Sequence, residues 1–204
     1  MSSGMPTAPL RKAAIKRPGG RTSDVTERIF AATIALLEVG GIAAVTFQRV
    51  AEQAGVGRAT LYRRWPEPIF LVGDALAATA ADRIQIGDTD SLRGDLAAML
   101  RQIGAFIESS TGRAAIAASL MGRTEPEFAS QAKLLWERRR KDVAPIFARA
   151  IDRGELPEDC DTDTLFAAIA GALYVRLIVM AESSDDAWIE RTIGLVLPNA
   201  TVSL

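Results

Sequence analysis

The chain has 204 residues, of which 49% are hydrophobic and 24% are charged, so it can bury a core of its own. Histidine is absent, which removes the commonest general base and metal ligand, and a single cysteine excludes a disulfide within the chain. The net charge of −1 is unevenly distributed, because residues 1–68 carry ten Lys and Arg against five Asp and Glu, whereas residues 69–204 carry fourteen against twenty. A basic end on an acidic body is typical of a protein that meets nucleic acid with that end.

No run of eighteen uncharged apolar residues occurs, and no apolar stretch follows the basic N-terminus, so neither a membrane span nor a secretory signal is predicted. The lone Cys160 fits a reducing compartment. These features predict a cytoplasmic protein with no membrane contact. No metal and no other cofactor are expected.

Residues 1–20 are rich in Ser, Gly, Pro and Ala and cannot bury an apolar face, so a disordered basic arm is predicted there. The arm is either a solvated tail or a segment that lies in the minor groove of DNA beside a folded DNA-binding unit. For the second alternative, Arg17 and Arg21 are the candidate contacts because they lie nearest to the folded part.

The first predicted helix runs from Asp24 to Val39. Ser23 is the candidate cap, since its hydroxyl can accept a hydrogen bond from a free N–H of the first turn. Gly40-Gly41 is predicted to end the helix. Its apolar stripe consists of Val25, Ile29, Ala32 and Leu36.

The stretch from Thr46 to Trp65 predicts two short helices joined by a tight turn. Thr46 is the candidate N-cap of the first. Gly55 is predicted to end that helix, because glycine enters the left-handed region without a Cβ clash. The second helix, from about Gly57 to Arg64, is too short to persist alone and is expected to pack through its inward face.

The segment AGVGRATLYRRWP, residues 54–66, resembles the recognition-helix signature of the TetR family of transcriptional regulators. RTEPEFA, the turn at residues 153–156 and GALYVRLIV are similar to the C-terminal region of one branch of that family. The resemblance implies a three-helix head with a helix-turn-helix and a helical body that senses ligand and dimerises. In the family a lysine that touches a phosphate usually opens the next helix, whereas Pro68 stands in that place here.

Small and basic residues on the second helix suit entry into the major groove. Arg58 is the first candidate for base reading, because arginine donates two hydrogen bonds to guanine, and Ala59 leaves room for close approach. For Tyr62, packing against Trp65 is an equal alternative to a phosphate contact. The predicted DNA-binding set is Arg17, Arg21, Thr46, Gln48, Gly57, Arg58, Ala59, Thr60, Tyr62 and Arg63.

A helix from Pro68 to about Ile86 is predicted to join the DNA-binding domain, residues 21–67, to a body of residues 68–204. The body is predicted to continue with helices over residues 92–109, 114–121 and 125–153. Thr111-Gly112 should break the chain, and Pro145 should kink or divide the third of these helices. The basic run at residues 138–141 is interpreted as a solvated face that pairs with Glu137 and Asp142.

Residues 164–180 are apolar on nearly every side, and a helix without a polar face must be buried all round. Its own core is expected to cover one side and a second copy of the chain the other. A last helix, about Asp185 to Leu197, is predicted to complete a four-helix contact, and the family resemblance implies the same homodimer. The predicted interface residues are Phe166, Ala170, Gly171, Leu173, Tyr174, Leu177, Trp188, Ile189 and Ile193.

The family resemblance implies that a small effector binds in the body and moves the helix that joins it to the head. The apolar character of the body helices favours a hydrophobic or aromatic effector. The candidate pocket residues are Met99, Ile103, Phe106, Met121, Trp136 and Phe147, although such residues more often belong to the core than to a ligand wall.

The sequence therefore predicts an all-α, non-enzymatic transcriptional regulator, most simply a repressor released from a palindromic operator in double-stranded DNA by a small apolar ligand. The alternative is an all-helical dimeric interaction module without DNA binding, which the proline at position 68 keeps open. An enzyme that uses the carboxylates of residues 155–163 is disfavoured, because no nucleophile and base accompany them.

Overall fold

A computed structural model describes residues 20–85, 87–121 and 126–197, and across these ranges the chain is helical, without a β-strand. The all-α class is thereby confirmed. A 3₁₀ turn at Ile42–Ala44 and a π-helical segment at Val175–Val179 supplement the α-helices. The α-helices are α1 (Gly20–Gly40), α2 (Phe47–Ala54), α3 (Arg58–Arg64), α4 (Pro68–Arg83), α5 (Leu92–Glu108), α6 (Ser110–Met121), α7 (Pro126–Asp152), α8 (Thr162–Tyr174) and α9 (Asp186–Val196).

The head consists of α1, α2 and α3 around a core that is closed at the centre. Ile29 of α1, Val50 of α2 and Leu61 of α3 have no exposed surface. The Thr46 hydroxyl accepts a hydrogen bond from the Arg49 N–H at 3.2 Å, and Gly55 ends α2 with φ 63° and ψ 44°. The predicted cap and the predicted left-handed glycine are both confirmed.

The first helix begins earlier than predicted. α1 starts at Gly20, so Ser23 lies inside the helix and is not its N-cap. The polar residues at positions 20–23 contain no proline, and nothing in them prevents the helix from extending backwards. Arg21 therefore has a helical backbone, with its side chain outside the described residues, while Arg17 and the predicted arm up to residue 19 lie outside them entirely.

The fourth helix belongs to both halves of the molecule. Leu71, Val72 and Leu76 pack into the head core, whereas Ile84, just beyond the end of α4, packs into the body core. Ala115 of α6 also lies in the head core. A boundary between residues 67 and 68 thus separates chain segments, but the packing continues across it.

The body is built around α5, α7, α8 and α9, whose fully buried side chains include Leu100, Ile146, Ile169 and Ile193. Pro145 lies inside α7 without dividing it. The break predicted at Thr111-Gly112 is wrong, because α6 begins at Ser110.

The turn between α5 and α6 is capped from within the chain. The Ser109 hydroxyl accepts a hydrogen bond from the Gly112 N–H at 3.1 Å. A Cβ at Gly112 would overlap the Phe106 carbonyl oxygen, so the tight turn requires glycine there. Gly112 is therefore a packing residue in the first turn of α6 and not a helix breaker.

The two C-terminal helices turn one face inward and leave the other exposed. Most of the predicted dimer residues lie on the inward face, where their own subunit already covers them, so assigning them to the subunit contact was wrong. This group, with exposures of 0–1%, is Phe166, Ala170, Leu173, Ile189 and Ile193. Gly171, Tyr174, Leu177 and Trp188 are half-buried.

The exposed face of α8 and α9 consists of other residues. It includes Ala167 and Ala168 on α8, Val175 and Val179 on the π-helical segment, and Leu195 on α9. Val179 is 76% exposed and Leu195 80% exposed. By length and composition the stretch Thr162–Val179 could cross a membrane, but an exposed apolar face is equally what a subunit contact requires.

Candidate nucleic-acid interface and ligand cavity

One side of α3 is buried against the head core, and its opposite side is exposed to solvent. Leu61 is completely buried and Trp65 is 4% exposed, so the helix is held along one side. Arg58 and Ala59 are exposed at its first turn, and Thr60 is half-buried beside them. Gly57 is the N-cap residue, in extended conformation with no side-chain hydrogen bond at the cap. The arrangement presents one long cation next to two small side chains, a shape that fits between the walls of a DNA groove.

Tyr62 packs against Phe47, a contact that the sequence does not predict. Its ring lies edge-on to Phe47 with centroids 4.8 Å apart and an interplanar angle of 78°, and the residue is 64% exposed. Trp65 instead contacts Phe30 and the Arg64 guanidinium. The expected alternative of Tyr62 packing against Trp65 is therefore replaced by packing against α2, which directs an exposed tyrosine to the same surface as Arg58.

The remaining predicted contact residues lie at the start of α2 and near the end of α3. Thr46, Gln48 and Arg63 are exposed, and the Gln48 side chain donates to Glu52 at 3.0 Å. Arg64, which the sequence did not single out, stacks on Trp65 at 4.4 Å and donates to the Thr26 hydroxyl at 2.8 Å. Arg64 thus ties α3 to α1, whereas Arg58 and Arg63 extend into solvent.

A cavity of about 450 Å³ lies in the body and extends from α4 to the π-helical segment. Three of the predicted residues line it, namely Ile103, Phe106 and Trp136. Met99 and Phe147 do not, because Met99 lies nearer the start of α5 and Phe147 nearer the end of α7, where the core closes around them at 1% and 3% exposure. The Met121 side chain lies outside the described residues.

The cavity also has walls that the sequence analysis missed. The head-joining helix α4 contributes Leu76 and Ala80, followed by Ile84, and α6 contributes Ala115 and Ile116. Four residues predicted for the subunit contact or for a solvated face line it as well, namely Phe166, Ala170, Tyr174 and Arg139. Helical spacing did not separate these residues from ordinary core, because only the tertiary arrangement brings them around one space.

Polar contacts join the head to the body in the described part of the chain. The Trp65 indole N–H donates to Asp74 of α4 at 2.9 Å, and the other Asp74 oxygen accepts from Arg138 of α7 at 3.0 Å. The Glu38 carboxylate at the end of α1 accepts hydrogen bonds from the Thr111 and Ser110 hydroxyls, which hold the pKa of Glu38 below its ordinary value. Arg138 is adjacent in sequence to Arg139, and Ser110 and Thr111 open α6, so both connections lead to helices that wall the cavity.

Comparison with known proteins matches both halves of the chain. The family model for the Tetracyclin repressor-like C-terminal domain matches residues 86–196, and the model for bacterial regulatory proteins of the tetR family matches residues 29–67. The chain is 26% identical over 195 residues to the uncharacterized HTH-type transcriptional regulator YdeS of Bacillus subtilis strain 168, covering 93% of this chain and 98% of YdeS. It is 27% identical over 171 residues to the HTH-type transcriptional regulator AqdR of Rhodococcus erythropolis, covering 84% of this chain and 83% of AqdR.

Solved structures with the same architecture include the TetR family transcription regulator SCO0332, with a TM-score of 0.74 and 29% identity over 86% of this chain and 97% of that one. The transcriptional regulator FadR from Bacillus subtilis, in complex with stearoyl-CoA, matches with a TM-score of 0.59 and 18% identity over 87% of this chain and 98% of that one. At that identity the second likeness concerns the fold alone.

Proposed function

This chain belongs to the TetR family of transcriptional regulators, DNA-binding proteins without enzymatic activity, and from that premise we propose that it is a repressor that leaves its operator when a small ligand binds. The proposed operator is palindromic, the proposed active form is a homodimer, and the proposed site of action is the cytoplasm. The observation that carries the proposal is the exposed first turn of α3 on a buried support.

The first turn of α3 has the side chains that groove reading requires. We assign base contacts to Arg58 and Ala59, since a guanidinium can donate to guanine O6 and N7 while a methyl group can meet a thymine methyl. We assign phosphate contacts to Thr46, Thr60 and Arg63, which fix the register on DNA. Gly57 permits close approach, and Tyr62 and Gln48 border the same surface, with Arg17 and Arg21 proposed as minor-groove contacts.

The exposed face of α8 and α9 supports the homodimer. A contiguous apolar face on a folded chain marks an interaction surface, and the small residues Ala167, Ala168 and Gly171 allow helices to approach closely. A twofold axis there would place two α3 helices on the same side of the assembly. Half-sites about one helical turn apart, roughly 35 Å, would then be read together.

Ligand release is supported by the walls of the cavity. Because Leu76 and Ala80 of α4 line it, a ligand that displaces them also displaces the helix that carries the head. A ligand changes DNA affinity only if it binds the two conformations unequally, with a typical coupling of about 1–3 kcal/mol. The Bacillus subtilis FadR, which shares this fold, is in complex with stearoyl-CoA, and this supports the proposal of an apolar effector here.

The proposal is tested by selecting bound sequences from random duplex DNA with the full chain, without added ligand. We expect an inverted repeat to be enriched, with half-sites one helical turn apart. Binding to the selected duplex should weaken steeply as salt rises from about 50 to 200 mM, because each phosphate contact releases a counterion. A selection that enriches no repeat would overturn the repressor proposal.

The alternative of a dimeric module without DNA binding has one observation in its favour. The residues that open α4 are Glu67 and Pro68, so no cation stands where the family usually has a lysine for a phosphate. This alternative predicts a dimer of normal stability with no enriched DNA sequence and no dependence of partner binding on Arg58.

A further inference from the structure

Among the described residues that line the cavity in the body, one side chain is charged. Of the residues that line it, all are apolar except Arg139, Tyr174 and Trp136. The Arg139 side chain is only 15% exposed. A cationic side chain thus lines a cavity whose other described walls are apolar apart from the polar atoms of Tyr174 and Trp136.

Arg139 is bound differently from its neighbours on α7. Arg138 donates to Asp74 at 3.0 Å, and Arg140 donates to Asp163 at 2.7 Å through its Nε. Among the described residues, the carboxylate paired with Arg139 belongs to Asp142, whose oxygen lies 3.8 Å from Nη1, which is beyond hydrogen-bond reach. Within the described part of the chain, the buried Nη1 donates no hydrogen bond.

A buried guanidinium with an unused donor has few ways to lower its free energy. It cannot lose its proton, because arginine stays charged at any pH a protein tolerates. Leaving a buried charge unpaired is costly, while a carboxylate satisfies the guanidinium with two parallel hydrogen bonds. Tyr174, on the same wall, adds a phenol that can donate a third.

We propose that the cavity binds an amphipathic monoanion whose acidic group pairs with Arg139 and whose apolar body lies between α4, α5 and α8. The inference rests on the proposed function, since it names the chemical class of the effector. A cavity of about 450 Å³ is within the usual range for small-molecule sites, roughly 300–1,000 Å³. Ile103 and Phe106 face the apolar part, and Trp136, stacked on Phe166 with centroids 5.1 Å apart, closes one side.

The test uses matched probes that differ only in the head group. Saturated fatty acids of increasing length are titrated into the full chain without DNA, beside the alcohol and the amine of each length, with calorimetry and tryptophan fluorescence as readouts. We expect the acid to bind about 10- to 100-fold more tightly than the alcohol, the factor that a charged hydrogen bond supplies, and the amine to bind most weakly. Equal affinity for acid and alcohol at every length, or no binding of any probe, would overturn the proposal.

The variant Arg139→Met separates the guanidinium from the rest of the cavity. It should lose the acid's advantage of about 10- to 100-fold while leaving the alcohol's affinity unchanged. Lys141→Met, which removes a charge from the exposed side of the same helix, should keep the advantage. Because Arg139 Nη1 donates no hydrogen bond without ligand and its ion pair with Asp142 spans 3.8 Å, Arg139→Met should melt at the same or a higher temperature than the wild type. A lower melting temperature, or failure to fold, would show that Arg139 is a structural residue and would overturn the proposal.

The proposed anion site and the proposed repressor function are tested by independent experiments. DNA selection is carried out without ligand and the ligand titration without DNA. A protein that selects an operator but does not prefer the acid contradicts only the anion site. A protein that prefers the acid but selects no operator contradicts only the repressor.

Discussion

Arg58 and Thr60 are two residues apart on α3, yet their side chains suit different parts of a DNA duplex. Arg58 is long and exposed, and its planar group can pair with one base edge. Thr60 is short and half-buried. We expect its hydroxyl to contact the phosphate backbone, a contact that does not discriminate between bases. The two residues are therefore expected to contribute separately to specificity and to affinity.

This difference gives a prediction for the two alanine variants. Arg58→Ala should lower the preference for the selected operator over a base-substituted one by about 1–3 kcal/mol, since one bidentate contact is lost. Thr60→Ala should weaken binding to both duplexes by a similar factor. Gel-shift titrations at one fixed salt concentration measure both effects, and Val39→Ala, a variant of an 88%-exposed residue on α1, serves as the control. The opposite pattern would show that the two roles are exchanged.

The role of a single residue could be predicted from the sequence when its contacts lie within a few residues along the chain, but not when they lie on other helices. Thr46 and Gly55 were assigned correctly because a cap and a left-handed turn are decided within a few residues. Arg139 was placed on a solvated face because its neighbours are charged, and its burial depends on α4, α5 and α8. For Tyr62 the sequence leaves packing against Trp65 and a phosphate contact as equal alternatives, and it does not indicate Phe47, which lies on another helix.

At the scale of elements, α8 illustrates what composition can and cannot determine. Its nearly continuous apolar sequence required that two sides be covered, and the structure covers one of them with Phe166, Ile169 and Leu173. Composition could not determine which side faces inward, because a helix that is apolar all round has no polar stripe to orient it. The residues for a second subunit are consequently those left exposed, such as Ala168 and Val175.

The exposed side of α8 gives a prediction about assembly. Gly171→Arg should convert the dimer to a monomer or to aggregates, because a long charged side chain would stand where two helices approach. A Cβ at Gly171 meets no atom of its own subunit within 4 Å, and arginine favours helix over glycine by roughly 1 kcal/mol, so the fold itself should not suffer. Light scattering and circular dichroism measure the two properties.

A control with the same added charge belongs in the head. Ala43→Arg, at an exposed position next to α1, should remain dimeric. If Gly171→Arg is also an unchanged dimer, the contact must lie on another face of the body.

The start of a helix was predictable where a side-chain cap marks it, and less so elsewhere. α2, α5 and α9 begin after Thr46, Ser91 and Asp185, whose side chains accept hydrogen bonds from the first turn. α6 was started too late because Thr111-Gly112 looked like a break, although glycine is required there by its contact with the preceding helix. Local preference was overruled by packing between two helices.

At the scale of the whole molecule, the cavity and α3 are connected by a short series of contacts. Trp65, at the end of α3, donates to Asp74, and Asp74 accepts from Arg138 on the helix that carries Arg139. The Arg138 and Asp74 side chains are 51% and 39% exposed, so their ion pair contributes little to stability. We propose that this ion pair matters for communication between the two sites, because it joins α7, which walls the cavity, to the end of α3.

This series of contacts predicts a variant in which the two sites remain intact but communicate poorly. Asp74→Ala removes the acceptor for both Trp65 and Arg138. The ligand in this experiment is dodecanoate, one of the saturated fatty acids used as probes above. We expect the variant's DNA affinity without ligand and its affinity for dodecanoate to stay close to those of the wild type. The ratio of DNA dissociation constants with and without saturating dodecanoate should move towards one, from a wild-type value in the typical range of about 5 to 150.

The measurement is a fluorescence-anisotropy titration of labelled operator with and without dodecanoate, and Asp82→Ala, an exposed carboxylate on the same helix, is the control. Two connections reach the head, so the loss should be partial, because Glu38 still accepts from Ser110 and Thr111. Adding Glu38→Ala should then reduce the ratio further than either substitution alone. If the double variant Asp74→Ala/Glu38→Ala releases DNA as readily as the wild type, neither polar connection carries the signal, and the apolar packing of Leu76 and Ala80 of α4 against the cavity is the remaining route.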